Sequence, residues 1–232
     1  MLELWIEGSI EQAAEVANSG LAAAIATNPS IMERWTAAGR TLESTVREIC
    51  ERVDVPVYVQ LQGPTLDDFL YEMERLRTIS LQIQPKLIAT LPGIRATKRF
   101  ADEGLQPLVT TVATISQAFL AASAGAAYVA PYVGRIEDAG VDAYALVSDI
   151  ARLYAQHNVR TRIAAASIRS AQQAESVLRA GAPIIVTQYD VFQTLLQSQM
   201  TQNWIDRFDD NWTRIPYEAA SGKPTENPVM GD

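Results

Sequence analysis

Lysine is rare in this chain: Lys86, Lys98 and Lys223 are the only three among nineteen Lys and Arg residues. Lys86 stands inside Leu81-Gln-Ile-Gln-Pro-Lys-Leu-Ile-Ala-Thr90, a run that reads as a mostly buried strand. Taking an ammonium out of water is costly, so a buried lysine tends to shed its proton and become a nucleophilic amine. That is what Schiff-base chemistry with a carbonyl compound requires. The same run also suits a lysine whose stem is buried and whose head snorkels from a strand end, and this run alone does not choose between the two. Other nucleophiles are scarce. Cys50 is the only cysteine, which excludes a disulfide framework and a thiolate metal site. His157 is the only histidine, in Ala-Gln-His-Asn at the end of an expected helix, where it suits a partner for the helix dipole.

The elements that must position Lys86 follow from the pattern of short apolar runs and helical stretches. Leu2–Glu7 reads as a strand, and Ser9 caps a helix through Ala17. Leu21–Thr27 leads by a connection to a helix at Leu42–Arg52. Pro56–Leu61 precedes a helix Leu66–Ile79 capped by Thr65, and Leu81–Ala89 precedes Pro92–Glu103. Pro107–Val112 pairs with Ser116–Ala124, Ala127–Val133 with Asp142–His157, Arg162–Ala166 with Ser170–Ala180, and Pro183–Thr187 with Val191–Gln197. Caps open these helices and Gly104, Gly125 and Gly181 close three of them. Eight such units predict an α/β fold, a single (β/α)8 TIM barrel over residues 1–198. An open doubly wound sheet would usually have fewer strands and a glycine-rich first turn, and no G-x-G-x-x-G is present.

A net charge of −8 argues against nucleic acid as the main partner. No run approaches the ~18 apolar residues of a membrane span, and the acidic start Met-Leu-Glu-Leu-Trp-Ile-Glu is unlike a signal peptide. A cytoplasmic protein is expected. Barrel sites form at the C-terminal ends of the strands. The polar residues there are Glu7, Thr27 with Asn28, Gln60 with Gln62, Lys86, Thr110, Tyr132 with Arg135, Ser167 with Arg169, and Gln188 with Asp190. On the fourth strand, an inward Lys86 would sit desolvated in the barrel mouth, which favours the Schiff-base reading.

Four features together resemble the transaldolase family, and more closely its small fructose-6-phosphate aldolase branch. They are Thr27-Asn-Pro-Ser-Ile31, Lys86 with Thr90 four residues on, Thr110, and Ala126-Ala-Tyr-Val-Ala-Pro-Tyr-Val-Gly-Arg-Ile136. The similarity runs from residue 2 to about Trp212. The resemblance implies class I aldol chemistry, with Lys86 forming an iminium with a ketose and no cofactor or metal required. It implies Tyr132 as general acid/base, Gln60 and Thr110 holding a proton-relaying water, and Glu7 completing the catalytic set. Asn28 and Thr27 would face the substrate, and Arg135, Ser167 and nearby Arg169 would hold its phosphate. Gln60 and Tyr132 resemble the aldolases, where transaldolases proper carry a carboxylate and Phe, so the branch implies a lyase acting on sugar phosphates.

Three places depart from the family pattern. Glu7 replaces an Asp, Ala26 replaces a Thr, and Pro85 stands before the lysine, where it removes a ladder N–H from a central strand. Two rival readings are a transaldolase that passes a dihydroxyacetone unit between sugar phosphates, and a catalytically silent sugar-phosphate-binding barrel. After the barrel, Trp204, Phe208 and Trp212 recur every four residues, one stripe of a helix at about Gln199–Thr213 within an expected assembly element, 199–215. Together with the resemblance this predicts a homo-oligomeric ring, a decamer among the candidate sizes. Residues 216–232, rich in Gly and Pro, read as a disordered tail.

Overall fold

Apolar runs four to seven residues long, bounded by helix caps, become strands when both faces can be covered, and that is their fate here. In a computed structural model, described for residues 1–216, eight parallel strands close into one barrel in sequence order, β1 next to β8. They are β1 (Glu3–Glu7), β2 (Ala22–Ala26), β3 (Val57–Gln60), β4 (Ile83–Ile88), β5 (Leu108–Val112), β6 (Tyr128–Pro131), β7 (Arg162–Ile168) and β8 (Ile184–Gln188). The helices around the barrel are α1 (Ile10–Asn18), α2 (Pro29–Trp35), α3 (Leu42–Arg52), α4 (Leu66–Arg77), α5 (Leu91–Asp102), α6 (Ile115–Ser123), α7 (Val133–Asp138), α8 (Ala143–Gln156), α9 (Ala171–Arg179) and α10 (Tyr189–Thr194). The (β/α)8 barrel expected from the sequence is the fold.

Local chemistry explains most boundaries. Ser9, Thr41, Thr65 and Thr114 each accept from the backbone N–H three residues on, and the side chain at that position bonds back to the cap. Two short helices escape the periodic pattern. Pro29–Trp35 forms α2 inside what reads as a plain connection, capped by Asn28, whose Oδ1 accepts from Ile31 N at 3.0 Å. The expected strand Ala127–Val133 is too long: β6 ends at Pro131, and Val133 and Ile136 have the spacing of a buried helical face in α7. Pro85 does not break β4, which continues to Ile88 with Pro85 opposite Val59.

The barrel interior is filled by one cluster. Trp5 stacks on Tyr58 with ring centroids 4.6 Å apart, and Tyr128 meets Trp5 edge-on at 4.7 Å. Leu108, Ala130, Ala164, Ile184 and Val186 complete this plug, with Ala24, Ala26 and Ala166 leaving room around the rings. Between strands and helices lie two larger apolar clusters, one built on the first four units and one on the last four. Two strands bulge at the rim. The register shifts between Val109 and Val112 on β5 and between Ala165 and Ile168 on β7. At each bulge one residue adopts a positive φ, Thr111 at 59° and Ser167 at 60°. Such a backbone is unfavourable for a β-branched threonine, and such strain tends to gather at functional sites.

The chain divides into a first unit, Met1–Leu195, and a second from Leu196. The second unit holds α11 (Gln199–Trp212), capped by Ser198. The expected disordered tail lies, from residue 217 on, outside the described residues. Among the described residues no helix is long and apolar enough to cross a membrane.

Candidate active site

The aromatic plug is the floor on which the site is built. Gln60 pairs with Lys86 across β3 and β4, so both side chains project to the same side of the wall, one pleat above Tyr58. Lys86 is 1 % exposed, so the head of this lysine does not snorkel to water. Its Nζ donates to the Thr27 carbonyl at 2.6 Å, and Glu7 Oε1 lies 3.9 Å away. The lysine head is therefore tied toward β2 and β1. Burial raises the Glu7 carboxyl above its ordinary value of 4.5, outweighing the lowering by Lys86, the Asn28 side chain and Arg34. Asn28 Nδ2 donates to Glu7 Oε1 at 3.3 Å, so a single asparagine caps α2 and holds the carboxylate.

Above this buried centre opens a cavity of about 390 Å³, lined on its walls by Glu7, Asn28, Gln60, Tyr132, Arg135 and Ser167. Lys86 and Thr110 are buried and are not among its lining residues. Gln60 Oε1 and Thr110 Oγ1 are buried with no hydrogen-bond partner among the described residues, an expensive condition unless something polar reaches them. Tyr132 sits where β6 ends, bridged to Ala166 of β7, and the Arg135 guanidinium lies 5.7 Å from its ring centroid. Ser167 is presented by the β7 bulge.

Two residues expected to face the substrate also have protein partners. The Thr27 hydroxyl donates to Tyr58 O at 3.0 Å and accepts from Gln60 N at 3.3 Å, so it staples β2 to β3, and only its carbonyl reaches Lys86. Arg169 grips Asp138 through both guanidinium ends, at 2.8 and 2.6 Å, and lines a smaller cavity of about 180 Å³ beside Arg135 and Ser167. His157 ends α8 as its C-cap, at the opposite end of the barrel from the mouth, because β7 begins a few residues later. Four further polar residues line the main cavity: Ser30, Arg34, Thr111 and Gln188. Ser30 and Arg34 are four residues apart on α2 and so share a face, a signal that becomes readable only once Pro29–Trp35 is known to be helical.

A closed parallel barrel with one buried lysine under a polar, arginine-rimmed mouth defines a (β/α)8 enzyme scaffold. The fold alone is shared with inosine 5′-monophosphate dehydrogenase from Legionella pneumophila, at a TM-score of 0.60 and 16 % identity, over 82 % of this chain and 58 % of that one. Sequence narrows the class. The family described as transaldolase/fructose-6-phosphate aldolase matches residues 7–220. A probable transaldolase of Pelotomaculum thermopropionicum is 34 % identical over 215 residues, covering 92 % of this chain and 99 % of that one. A probable transaldolase of Streptococcus pyogenes serotype M2 is 34 % identical over 193 residues, 83 % and 89 % of the two chains. The chain belongs to the transaldolase/fructose-6-phosphate aldolase family.

Proposed function

We propose that the protein is a class I aldolase that makes and cleaves a ketose phosphate, such as fructose 6-phosphate, through an imine on Lys86. The observation that carries this reading is the buried Lys86 head beside Glu7, with the unpartnered Gln60 Oε1 and Thr110 Oγ1 in the same barrel mouth. The Lys86 amine attacks the ketose carbonyl, and loss of the carbinolamine oxygen as water leaves an iminium. Glu7, whose affinity for a proton is raised by burial, is suited to deliver and retrieve that proton. Removal of the proton from the C4 hydroxyl then breaks the C3–C4 bond. The aldehyde departs, and its bonding pair moves into the iminium to give an enamine. Protonation at C3 and attack of water at C2 release dihydroxyacetone and free the amine. Tyr132, lining the cavity, is the acid/base for these transfers through a water held by Gln60 and Thr110. Asn28 faces the hydroxyls near the imine. Arg135 and Ser167 hold the distal phosphate, where a guanidinium supplies paired donors, and Arg169 backs them through Asp138.

The test is borohydride trapping with dihydroxyacetone, read by intact mass. The wild type gains one reduced adduct and Lys86→Arg gains none, because a guanidinium cannot form the imine. A silent sugar-phosphate-binding barrel gives no adduct in either protein. The names of the relatives favour a second reading, transfer of the dihydroxyacetone unit to an aldose phosphate. Free dihydroxyacetone released without an added acceptor supports the lyase, and its absence supports the transferase.

We further propose a cytoplasmic homo-oligomer assembled through α11. Trp204 and Phe208 are 52 % and 59 % exposed on one face of that helix, with Ile205 beside them. A single chain rarely leaves so large an apolar stripe in water. Light scattering of the full chain at micromolar concentration checks this: a monomer refutes it. Deleting residues 199–232 breaks the assembly or precipitates the protein.

A further inference from the structure

The two groups that hold the distal phosphate stand on weak supports. Arg135 is the third residue of α7, a six-residue helix whose start has no side-chain cap. Ser167 sits on the β7 bulge with φ at 60°, a backbone that keeps its shape only where neighbours hold it. One side chain joins these supports. Gln173, the third residue of α9, accepts from Arg169 N through Oε1 at 2.7 Å and donates from Nε2 to Glu137 Oε2 at 2.5 Å. Arg169 is two residues beyond Ser167, and Glu137 is two beyond Arg135. A backbone N–H only donates and a carboxylate only accepts, so the amide fits this gap in one orientation. Its own backbone is fixed in turn, because Gln173 N donates to the Ser170 cap hydroxyl at 3.2 Å.

The gap it spans has little slack. A methyl group on Gly134 would lie 2.6 Å from Ser167 O and 2.7 Å from Arg169 Nε, so the first turn of α7 rests directly on the β7 loop. The ion pair of Arg169 with Asp138 crosses the same gap, but its side chains are 51 % and 60 % exposed, where such a pair contributes little. Gln173 and Glu137 are both partly buried, where a hydrogen bond to a carboxylate holds more firmly. Gln173 lines neither the main cavity nor the smaller one beside Arg135 and Ser167. We propose that Gln173 is a positioning residue: it clamps α7 to the β7 loop and so fixes the spacing of Arg135 and Ser167 that phosphate binding requires. The proposal rests on the imine reading of Lys86 and on those two residues as the phosphate grip.

The experiment measures the concentration for half-maximal borohydride-trapped adduct with fructose 6-phosphate and with fructose, which lyase and transferase alike can load onto Lys86. Wild type saturates at lower concentration with the phosphorylated ketose. Gln173→Leu removes both hydrogen bonds and raises the half-saturating concentration of fructose 6-phosphate about five- to tenfold beyond any shift for fructose. Gln173→Glu sets two carboxylates against each other and narrows the preference at least as much. Adding Glu137→Gln to it returns one donor and one acceptor to the pair in reversed order, so the double variant recovers most of the phosphate preference. Thermal transitions verify folding, and if Gln173→Leu does not fold, Gln173→Glu with and without Glu137→Gln decides alone. Equal shifts for the two ketoses, as a residue that merely stabilised the fold would give, overturn the proposal, as does a double variant no better than Gln173→Glu. Arg135→Ala separates it from the reading beneath. If that variant keeps the full preference for the phosphorylated ketose, the phosphate grip is wrong and the proposal falls with it; if it loses the preference while Gln173→Leu keeps it, only the positioning role falls. No adduct with either ketose overturns the imine reading itself, and the proposal with it.

Discussion

Gly93 tests whether the placement of Lys86 depends on the joint between its strand and the helix that follows. It is the third residue of α5, and Thr90 caps that helix by accepting from Gly93 N at 3.3 Å. A methyl group at this glycine would stand 2.1 Å from the Ile88 carbonyl oxygen, and ordinary contact begins at 3.4 Å. About 1.3 Å must therefore open between the first turn of α5 and the end of β4, two residues beyond Lys86. The obstacle is backbone, so no side-chain rotation relieves it. Helix propensity alone favours alanine over glycine by about 1 kcal/mol, whereas overpacking of this kind costs about 1–3 kcal/mol or more. Gly93→Ala is thus expected to lose roughly 1–2 kcal/mol net, seen as a lower urea midpoint at unchanged slope. Displacement of a reacting group by about 1 Å costs on the order of a hundredfold in rate. With the clash shared among several bonds, borohydride trapping of dihydroxyacetone should slow by about ten- to a hundredfold. A variant more stable than wild type that traps at the same rate would refute the reasoning.

Three further outcomes follow from the site. Tyr132→Phe should depress release of free dihydroxyacetone more than formation of the trapped imine, since the phenol moves protons while Lys86 makes the bond; equal losses in both steps would remove it from proton transfer. Arg135→Ala should raise KM for phosphorylated aldehydes about ten- to a hundredfold, the range of a charge-assisted contact of about 1.5–3 kcal/mol, and should leave a much smaller effect on unphosphorylated analogues. Because the Glu7 carboxyl is raised above 4.5 by burial, protonated Glu7 is bound more tightly by the folded state than by the unfolded one. Its stabilising contribution is full below pH 4.5 and is lost as pH rises through the elevated folded value. The stability of wild type relative to Glu7→Gln should therefore fall above pH 4.5, by at most about 1.4 kcal/mol per pH unit. Urea midpoints of the two proteins across that range are the check, and a gap independent of pH contradicts the assignment.

Much of the architecture was legible in the chain. Strand-helix alternation, serine and threonine caps and closing glycines are local features, and they locate both ends of all eight strands to within two residues. The burial of Lys86 was favoured only once the strand-helix count set it on the fourth barrel strand, because its own run suits a snorkelling lysine equally well. Less legible were α2, hidden by a Pro at its first position and too short for periodicity, and α7, which continues an apolar strand without a side-chain cap. The aromatic plug of Trp5, Tyr58 and Tyr128 comes from three strands, and only closure of the barrel brings the rings together. Tertiary structure alone also assigns partners. The resemblance implies Thr27 and Arg169 as substrate ligands, and the structure adds their protein partners: the Thr27 hydroxyl staples two strands and Arg169 is bound to Asp138. Arg34 reads as one surface arginine among many until the opposed positions of β2 and β6 set it across the mouth from Arg135. Elements obey rules of neighbouring residues, whereas a site is made of side chains far apart in the chain, and their meeting depends on the closed sheet.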